Sequence, residues 1–199
     1  RGLEMCIRDS FVKWFIDESK KFGAETCIFL GDWHHHRSSI NISTLNYSIS
    51  NLKRLSENFE KTYFITGNHD LFYRDKREIS SVIFANEIPN IQVVNEILVK
   101  DDVAIIPWLV GNEWKKIQKI KCKYMFGHFE LPNFKMNAMV EMPDHGEIQA
   151  EHFTHIERVF SGHFHKRQHK GNISYIGNPF AHNYADAWDN DCLLYTSPS

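Results

Sequence analysis

The sequence lacks the features of several protein classes. It has only four cysteines in 199 residues, and no two of them form a C-x-x-C pair. This argues against a zinc knuckle or a disulfide framework and fits a reducing compartment. No apolar run is long enough for a transmembrane helix, and no stretch reads as a signal peptide, so we expect no membrane contact. The net charge of −2 is too close to neutral to hold nucleic acid by charge alone.

The length and composition predict one globular domain with its own core. Apolar residues make up 42% and charged residues 24% of the chain. The two ends, residues 1–10 and 192–199, differ from the rest and resemble translated sequencing-library adapter. We therefore expect a single domain over residues 11–191, with non-native residues at both ends.

The hydrophobic pattern predicts alternating strands and helices in the first part of the chain. Amphipathic helices are expected at 11–22 and 44–59, capped at Ser43 or Thr44, with buried strands at 26–30 and 62–66. This order is typical of a parallel sheet with crossover helices. Further helical segments are expected at 78–86, 112–120 and 150–157. Shorter strands follow, some of them antiparallel, at 91–94, 97–100, 103–107, 123–126, 158–161 and 173–176.

Four of the predicted strands end in glycine followed by polar residues. The four turns read Gly-Asp-Trp-His from Gly31, Gly-Asn-His-Asp from Gly67, Gly-His-Phe-Glu from Gly127 and Gly-His-Phe-His from Gly162. Because the carboxyl ends of strands in open α/β sheets face the binding crevice, the four turns can converge. In an extended run, His163 and His165 would point to the same side.

The residues in these turns predict a metal centre. The candidate ligands are Asp32, Asn68, His128, His163 and His165. Carboxylate, amide and imidazole donors suit Mn²⁺, Fe or Zn²⁺ rather than Ca²⁺ or a thiolate site. Asp32 could bridge two ions about 3.5–4 Å apart, the arrangement used to hydrolyse phosphate esters.

The ordered set of four turns resembles the calcineurin-like metallophosphoesterases. The resemblance implies a four-layer α/β/β/α sandwich of two mixed sheets flanked by helices, and two divalent ions, with Mn²⁺ expected and Mg²⁺ possible. It implies that Asp32 bridges the ions, that Asn68, His128 and His163 complete one site, and that His165 belongs to the other. His69 would protonate the leaving oxygen. The family's first motif, Asp-x-His, is expected upstream of Phe11, so the domain is interpreted as N-terminally truncated.

Finer details resemble the nuclease subunit of SbcCD-type complexes and of bacteriophage recombination endonucleases. They are the last two turns, the Ile-Gly-Asn-Pro segment after Tyr175, and Arg37, five residues after Asp32. The resemblance implies a DNA exonuclease or endonuclease for recombination or double-strand-break processing, a coiled-coil ATPase partner of the SbcC type, and a possible homodimer. If the protein is phage-encoded, it implies the cytoplasm of a bacterial host. Arg37, Lys166 and Arg167 are candidate substrate-binding residues.

Two other functions remain open at this point. The enzyme could act on a small nucleotide or a phosphoprotein, which the near-neutral charge favours. The domain could also be a non-catalytic metal-binding scaffold, against which the presence of His69 argues. Without the upstream motif, we expect about one tightly held ion and weak hydrolysis. The triplet His34, His35 and His36 is predicted to face solvent as a loop.

Overall fold

The computed structural model describes residues 2–136 and 140–179, with side chains from residue 10 onward. Residues 180–199 lie outside the described part. The predicted end of the domain at residue 191 and the predicted non-native residues 192–199 fall among them. The described chain forms an α/β fold with two sheets. No helix in the described ranges is long and apolar enough to cross a membrane.

The first sheet is three-stranded and parallel. Its order is β1-β2-β3, formed by Thr26–Phe29, Lys61–Ile65 and Ile91–Val94. The expected parallel arrangement of the first two strands is confirmed. Both strand pairings described in this sheet are parallel, because long connections carry the chain back between its strands.

The second sheet has six strands in mixed orientation and the order β4-β5-β6-β7-β9-β8. Its parallel centre is β5, β6, β7 and β9, and antiparallel partners lie at both edges. The sequence pattern missed β8, because that strand is short, polar and exposed on its last two residues. The strands are Leu98–Lys100 (β4), Val103–Ile106 (β5), Tyr124–Gly127 (β6), Arg158–Ser161 (β7), Gln168–Lys170 (β8) and Ile173–Tyr175 (β9).

Two α-helices pack near the first sheet. The first, α1, spans Gly2–Lys21, so it begins well before the predicted residue 11. Val12 and Ile16 are buried as expected, but Phe22 follows the helix and is 85% exposed. The second, α2, spans Ile42–Asn58 and buries Leu52 and Leu55. Its N-cap is Asn41 rather than Ser43 or Thr44, since the Asn41 side chain accepts a hydrogen bond from the Ser43 backbone nitrogen at 2.9 Å.

The remaining predicted helices are short 3₁₀ segments. They span Ile83–Glu87, Gly111–Lys119 and Ala150–Phe153. The segment before Ile83 cannot become α-helical, because its backbone pairs with itself: Phe72 donates to the carbonyl of Ile79, and Leu71 bridges Ser80.

The core lies in three clusters that place the sheets face to face. One cluster contains side chains from both sheets, among them Leu30, Ile65 and Ile105. A second joins the first sheet to α1 and α2, and a third covers the other face of the second sheet with the 3₁₀ segments. The carboxyl ends of strands from both sheets therefore meet at one place.

Candidate metal centre

The centre is built where β1 and β2 of the first sheet meet β6 and β7 of the second. Cross-sheet contacts fix this meeting point. Trp108 donates its backbone N–H to the carbonyl of Thr66 at 2.9 Å. The carbonyl of Leu30 lies 2.6 Å from Nδ1 of His128. The four predicted turns thus converge, as expected from the sequence.

Two glycines allow this close approach. A Cβ atom on Gly67 would overlap Oδ1 of Asp32, and one on Gly162 would overlap the carbonyl oxygen of Leu30. Neither neighbour can move far, because both belong to the loop after β1. Glycine is therefore required at these two positions by space alone, since neither Gly67 nor Gly162 has a positive φ.

Four predicted ligands come together around one point. The ligand atoms of Asp32, His128 and His163 all lie within 4.8 Å of one another. Oδ1 of Asn68 is 3.1 Å from Nε2 of His128 and 3.0 Å from Nδ1 of His163. Oδ2 of Asp32 is 3.3 Å from Nε2 of His128. A carboxylate, an amide oxygen and two imidazoles therefore face each other.

The outer hydrogen bonds of the two imidazoles determine which nitrogens face inward as lone pairs. In the neutral ring that metal binding needs, Nδ1 of His128 donates to the carbonyl of Leu30, which leaves Nε2 as an acceptor. Nε2 of His163 lies 3.3 Å from Oε1 of Glu130 and donates to it, which leaves Nδ1 as an acceptor. The two inward nitrogens are 3.2 Å apart. Acceptors grouped in this way repel one another unless a cation lies between them, so the donor set fits a divalent metal.

Two of these ligands have a left-handed backbone conformation. Asp32 has φ of 62° and His163 has φ of 79°, both in the left-handed region that non-glycine residues seldom adopt. Such conformations persist where the surroundings impose them, and they cluster at functional sites. This conformation also explains one wrong prediction: the extended run ends at Ser161, so His163 and His165 do not alternate as in a strand.

Asp70 braces the loop that carries Asp32. Its carboxylate is fully buried. Oδ2 accepts backbone N–H groups of Asp32 at 2.8 Å and Gly67 at 2.9 Å, and Oδ1 accepts those of Trp33 at 2.9 Å and His34 at 3.2 Å. Burial and the nearby charge of Asp32 raise the pKa of Asp70 to about 7, although its backbone donors act in the opposite direction.

The surroundings also shift the pKa values of the ligands. Burial alone would raise the pKa of Asp32, but His128 outweighs it and holds this pKa well below the usual range. Burial alone would lower the pKa of His128, but the Asp32 carboxylate raises it. Burial lowers the pKa of His163, which favours the neutral imidazole that metal binding needs.

Glu130 and Arg74 extend the centre outward. Both oxygens of Glu130 accept hydrogen bonds from Arg74, at 3.0 and 2.7 Å, and Oε1 also faces His163. Burial alone would raise the pKa of Glu130, but the contacts of its carboxylate with His163 and Arg74 hold this pKa below its usual value. The ring of Trp108 lies 5.4 Å from that of His163. Glu130, which orients His163, is therefore itself held in place by Arg74.

His69 lies beside the centre and is half-buried. Its backbone N–H donates to Oδ1 of Asp32 at 2.8 Å. Its ring Nδ1 is 2.8 Å from the carbonyl of His35, and the two rings stack with centroids 5.5 Å apart. Since Nδ1 donates to that carbonyl, Nε2 is the nitrogen that can exchange a proton with another group.

The histidine triplet after Asp32 differs in part from the prediction. His35 and His36 are exposed as expected. His34 is only 2% exposed, and its ring nitrogens contact the hydroxyls of Ser81 at 3.1 Å and Ser48 at 2.9 Å. His34 is therefore a packing residue that ties the loop to α2.

Other predicted site residues lie outside the group of four. His165 is exposed, and its backbone N–H and C=O pair with Met136 and Asn178. Among the described residues, the cluster of candidate ligands that includes Asp32 does not include His165. Arg37 and Lys166 are half-buried and Arg167 is exposed.

Sequence analysis gave no role to Asp70 or Glu130. Both stand inside the quoted motifs, at the fourth position of Gly-Asn-His-Asp and of Gly-His-Phe-Glu. This position in the motif was the sequence signal that pointed to a role at the site. What each carboxylate contacts follows only from the packing of loops far apart in the sequence.

Comparison with known proteins gives one distant relative. The chain is 28% identical over 178 residues to exonuclease subunit 1 of Enterobacteria phage T4. The match covers 85% of this chain and 52% of that protein, so the chain spans about half the length of the relative. No protein-family model matches the chain.

Proposed function

We propose that this chain is a metal-dependent phosphodiesterase that cuts DNA, the nuclease subunit of a recombination or double-strand-break-processing system. The observation that carries the proposal is the group of four inward-facing acceptors at the ends of strands from both sheets. The similarity to a phage exonuclease subunit supports a nuclease. Two facing sheets with helices outside support the calcineurin-like metallophosphoesterase sandwich.

In this proposal Asp32, Asn68, His128 and His163 hold one divalent cation, with Mn²⁺ expected. A bound cation lowers the pKa of water and neutralises charge on phosphate oxygens. Leu30 and Glu130 keep the two imidazoles in the tautomers that direct a lone pair inward. Asp70 keeps the Asp32 loop in its left-handed turn.

His69 is the proposed general acid. Its Nδ1 is occupied by the carbonyl of His35, so a proton on Nε2 would pass to the leaving oxygen of the substrate. The hydrogen bond from its backbone to Asp32 keeps it next to the ligands.

We further propose that Asp32 and His165 would hold a second ion, for which fewer ligands are present than for the first. His165 is exposed and outside the compact group. We therefore expect about one equivalent of Mn²⁺ to remain after dialysis. Two equivalents with full activity would mean that His34, His35 or His36 supplies the missing ligands of the second site.

DNA binding is proposed to use local positive charge. Lys166 and Arg167 follow the last metal turn, and Arg37 follows the first. If they contact backbone phosphates, affinity for DNA falls steeply as salt rises. The relative is a subunit by name, which supports a partner; we propose a coiled-coil ATPase of the SbcC type.

A phosphoesterase for a small nucleotide or phosphoprotein is the second candidate. The net charge of −2 favours it, because a protein that binds DNA through its overall field should be basic. A flat salt response and better turnover of a small phosphodiester than of DNA would select it.

One experiment tests the proposed function. Cleavage of linear duplex DNA and of bis(p-nitrophenyl) phosphate is measured with Mn²⁺ for the parent, Asp32→Ala and His128→Ala, with His145→Ala as an exposed histidine control. We expect both substitutions at the centre to abolish cleavage and reduce bound Mn²⁺, and the control to match the parent. Retained metal and activity in His128→Ala would refute the centre. If the parent binds Mn²⁺ but cleaves neither substrate, the result would select the non-catalytic metal-binding scaffold.

A further inference from the structure

An exposed aromatic pair stands on a short hairpin beside the metal centre. The hairpin runs from Leu71 to Ser80, and those two residues form its closing bridge. Phe72 and Tyr73 are each 42% exposed, and their rings meet edge to face with centroids 4.8 Å apart. Leu71, the residue before them, is fully buried, so the pair directly follows a fixed residue of the hairpin.

The hairpin is held rigidly to the second sheet. The indole nitrogen of Trp108 donates to the carbonyl of Arg74 at 2.9 Å, and the guanidinium of Arg74 lies over the Trp108 ring. Arg77 donates to the carbonyl of Trp108 and forms an ion pair with Glu113. These anchors follow the aromatic pair and the buried Leu71 precedes it, so the backbone that carries the two rings is held, which reduces the entropy lost when a ligand binds.

The pair lies close to the proposed reaction. Phe72 is three residues from His69, so their Cα atoms can be at most about 11 Å apart. Arg74, one residue after Tyr73, contacts Glu130, and Glu130 contacts the ligand His163. DNA rises about 3.4 Å per nucleotide, so Phe72 lies within about three nucleotide steps of His69 and Tyr73 within about four.

We infer that Phe72 and Tyr73 form a stacking platform for unpaired bases at the end of a DNA strand whose phosphate lies at the metal centre. This inference rests on the proposed function. Aromatic faces bind any base, since every base has a π-face, and cations beside them hold the backbone. Lys76 is exposed and places Nζ 5.8 Å from the centre of the Tyr73 ring, which supplies such a cation.

The test is binding to two fluorescent duplexes in EDTA, where cleavage cannot occur. One duplex has a frayed end of four unpaired nucleotides, and in the other a non-nucleotide linker caps each end, so that it has no unpaired base. We expect Phe72→Ala/Tyr73→Ala to bind the frayed duplex about 10-fold or more weakly and to bind the capped duplex as the parent does. Phe72→Leu/Tyr73→Leu keeps apolar surface but no aromatic face and should lose as much. Lys76→Ala should reduce the dependence of DNA affinity on salt concentration by about the contribution of one phosphate contact.

Controls separate this inference from the proposed function. Phe22→Ala removes another exposed aromatic ring, at the end of α1, and should bind both duplexes normally. Equal losses on both duplexes, no loss on either, parent-like binding by the leucine variant, or a changed oligomeric state of the alanine variant would each overturn the platform. Hydrolysis of bis(p-nitrophenyl) phosphate with Mn²⁺ is measured in parallel. If the parent does not hydrolyse this compound but binds the frayed duplex more tightly through Phe72 and Tyr73, the stacking platform stands and the proposed phosphodiesterase activity fails.

Discussion

Replacing Asp70 by asparagine should damage both stability and metal binding, although the side chain contacts no substrate. Asp70 accepts four backbone N–H groups through two oxygens. Asparagine has one oxygen, so its amide nitrogen would face two of these donors. Each buried donor left without an acceptor costs about 1–3 kcal/mol. We therefore expect Asp70→Asn to lower the free energy of unfolding by about 2–6 kcal/mol.

The assay is urea unfolding at pH 8, where Asp70, with its pKa raised by burial to about 7, is ionised. Asp75→Asn makes the same chemical change at an exposed position and should stay within about 0.5 kcal/mol of the parent. Mn²⁺ affinity, measured by calorimetry on the folded variant, should fall about 10–100-fold, because Asp70 positions the backbone of the ligand Asp32. An Asp70→Asn protein as stable as the Asp75→Asn control, with parent-like affinity, would refute this account of the loop.

Three further predictions concern the centre. His69→Ala should bind Mn²⁺ normally but cleave phosphodiesters about 10²-fold or more slowly; equal rates would remove His69 from the mechanism. Glu130→Gln should weaken Mn²⁺ binding about 10-fold, because His163 loses its charged partner, and should leave duplex binding in EDTA unchanged. Calorimetry measures the Mn²⁺ affinity, and fluorescence anisotropy measures duplex binding. Mn²⁺ affinity should fall from pH 8 to pH 6, approaching about tenfold per pH unit for one competing proton, since the Asp32 carboxylate raises the pKa of His128. A flat titration would contradict ligation by His128.

The strands and their glycine-led turns could be predicted because their signals are local. An apolar run followed by glycine and a polar residue sets the end of β1, β2, β6 and β7 within a residue or two. Local rules also identified α2, though its cap is two residues earlier, since Asn41 competes well with serine as a cap. The predicted third helix is reduced to the 3₁₀ segment Ile83–Glu87, because contacts of Arg74 and Arg77 hold the residues before it as a hairpin.

The sequence by itself determined which chemistry is available: carboxylate, amide and imidazole donors at four strand ends. Only the tertiary structure decided which of them share one point. His163 turns inward because its backbone is left-handed and Glu130 holds its ring, whereas His165, two residues later, stays outside. Asp70 became the brace of the Asp32 loop because that loop, 36 to 38 residues earlier in sequence, brings three of its N–H groups to one buried carboxylate. Such contacts depend on the packing of whole sheets, which no local pattern encodes.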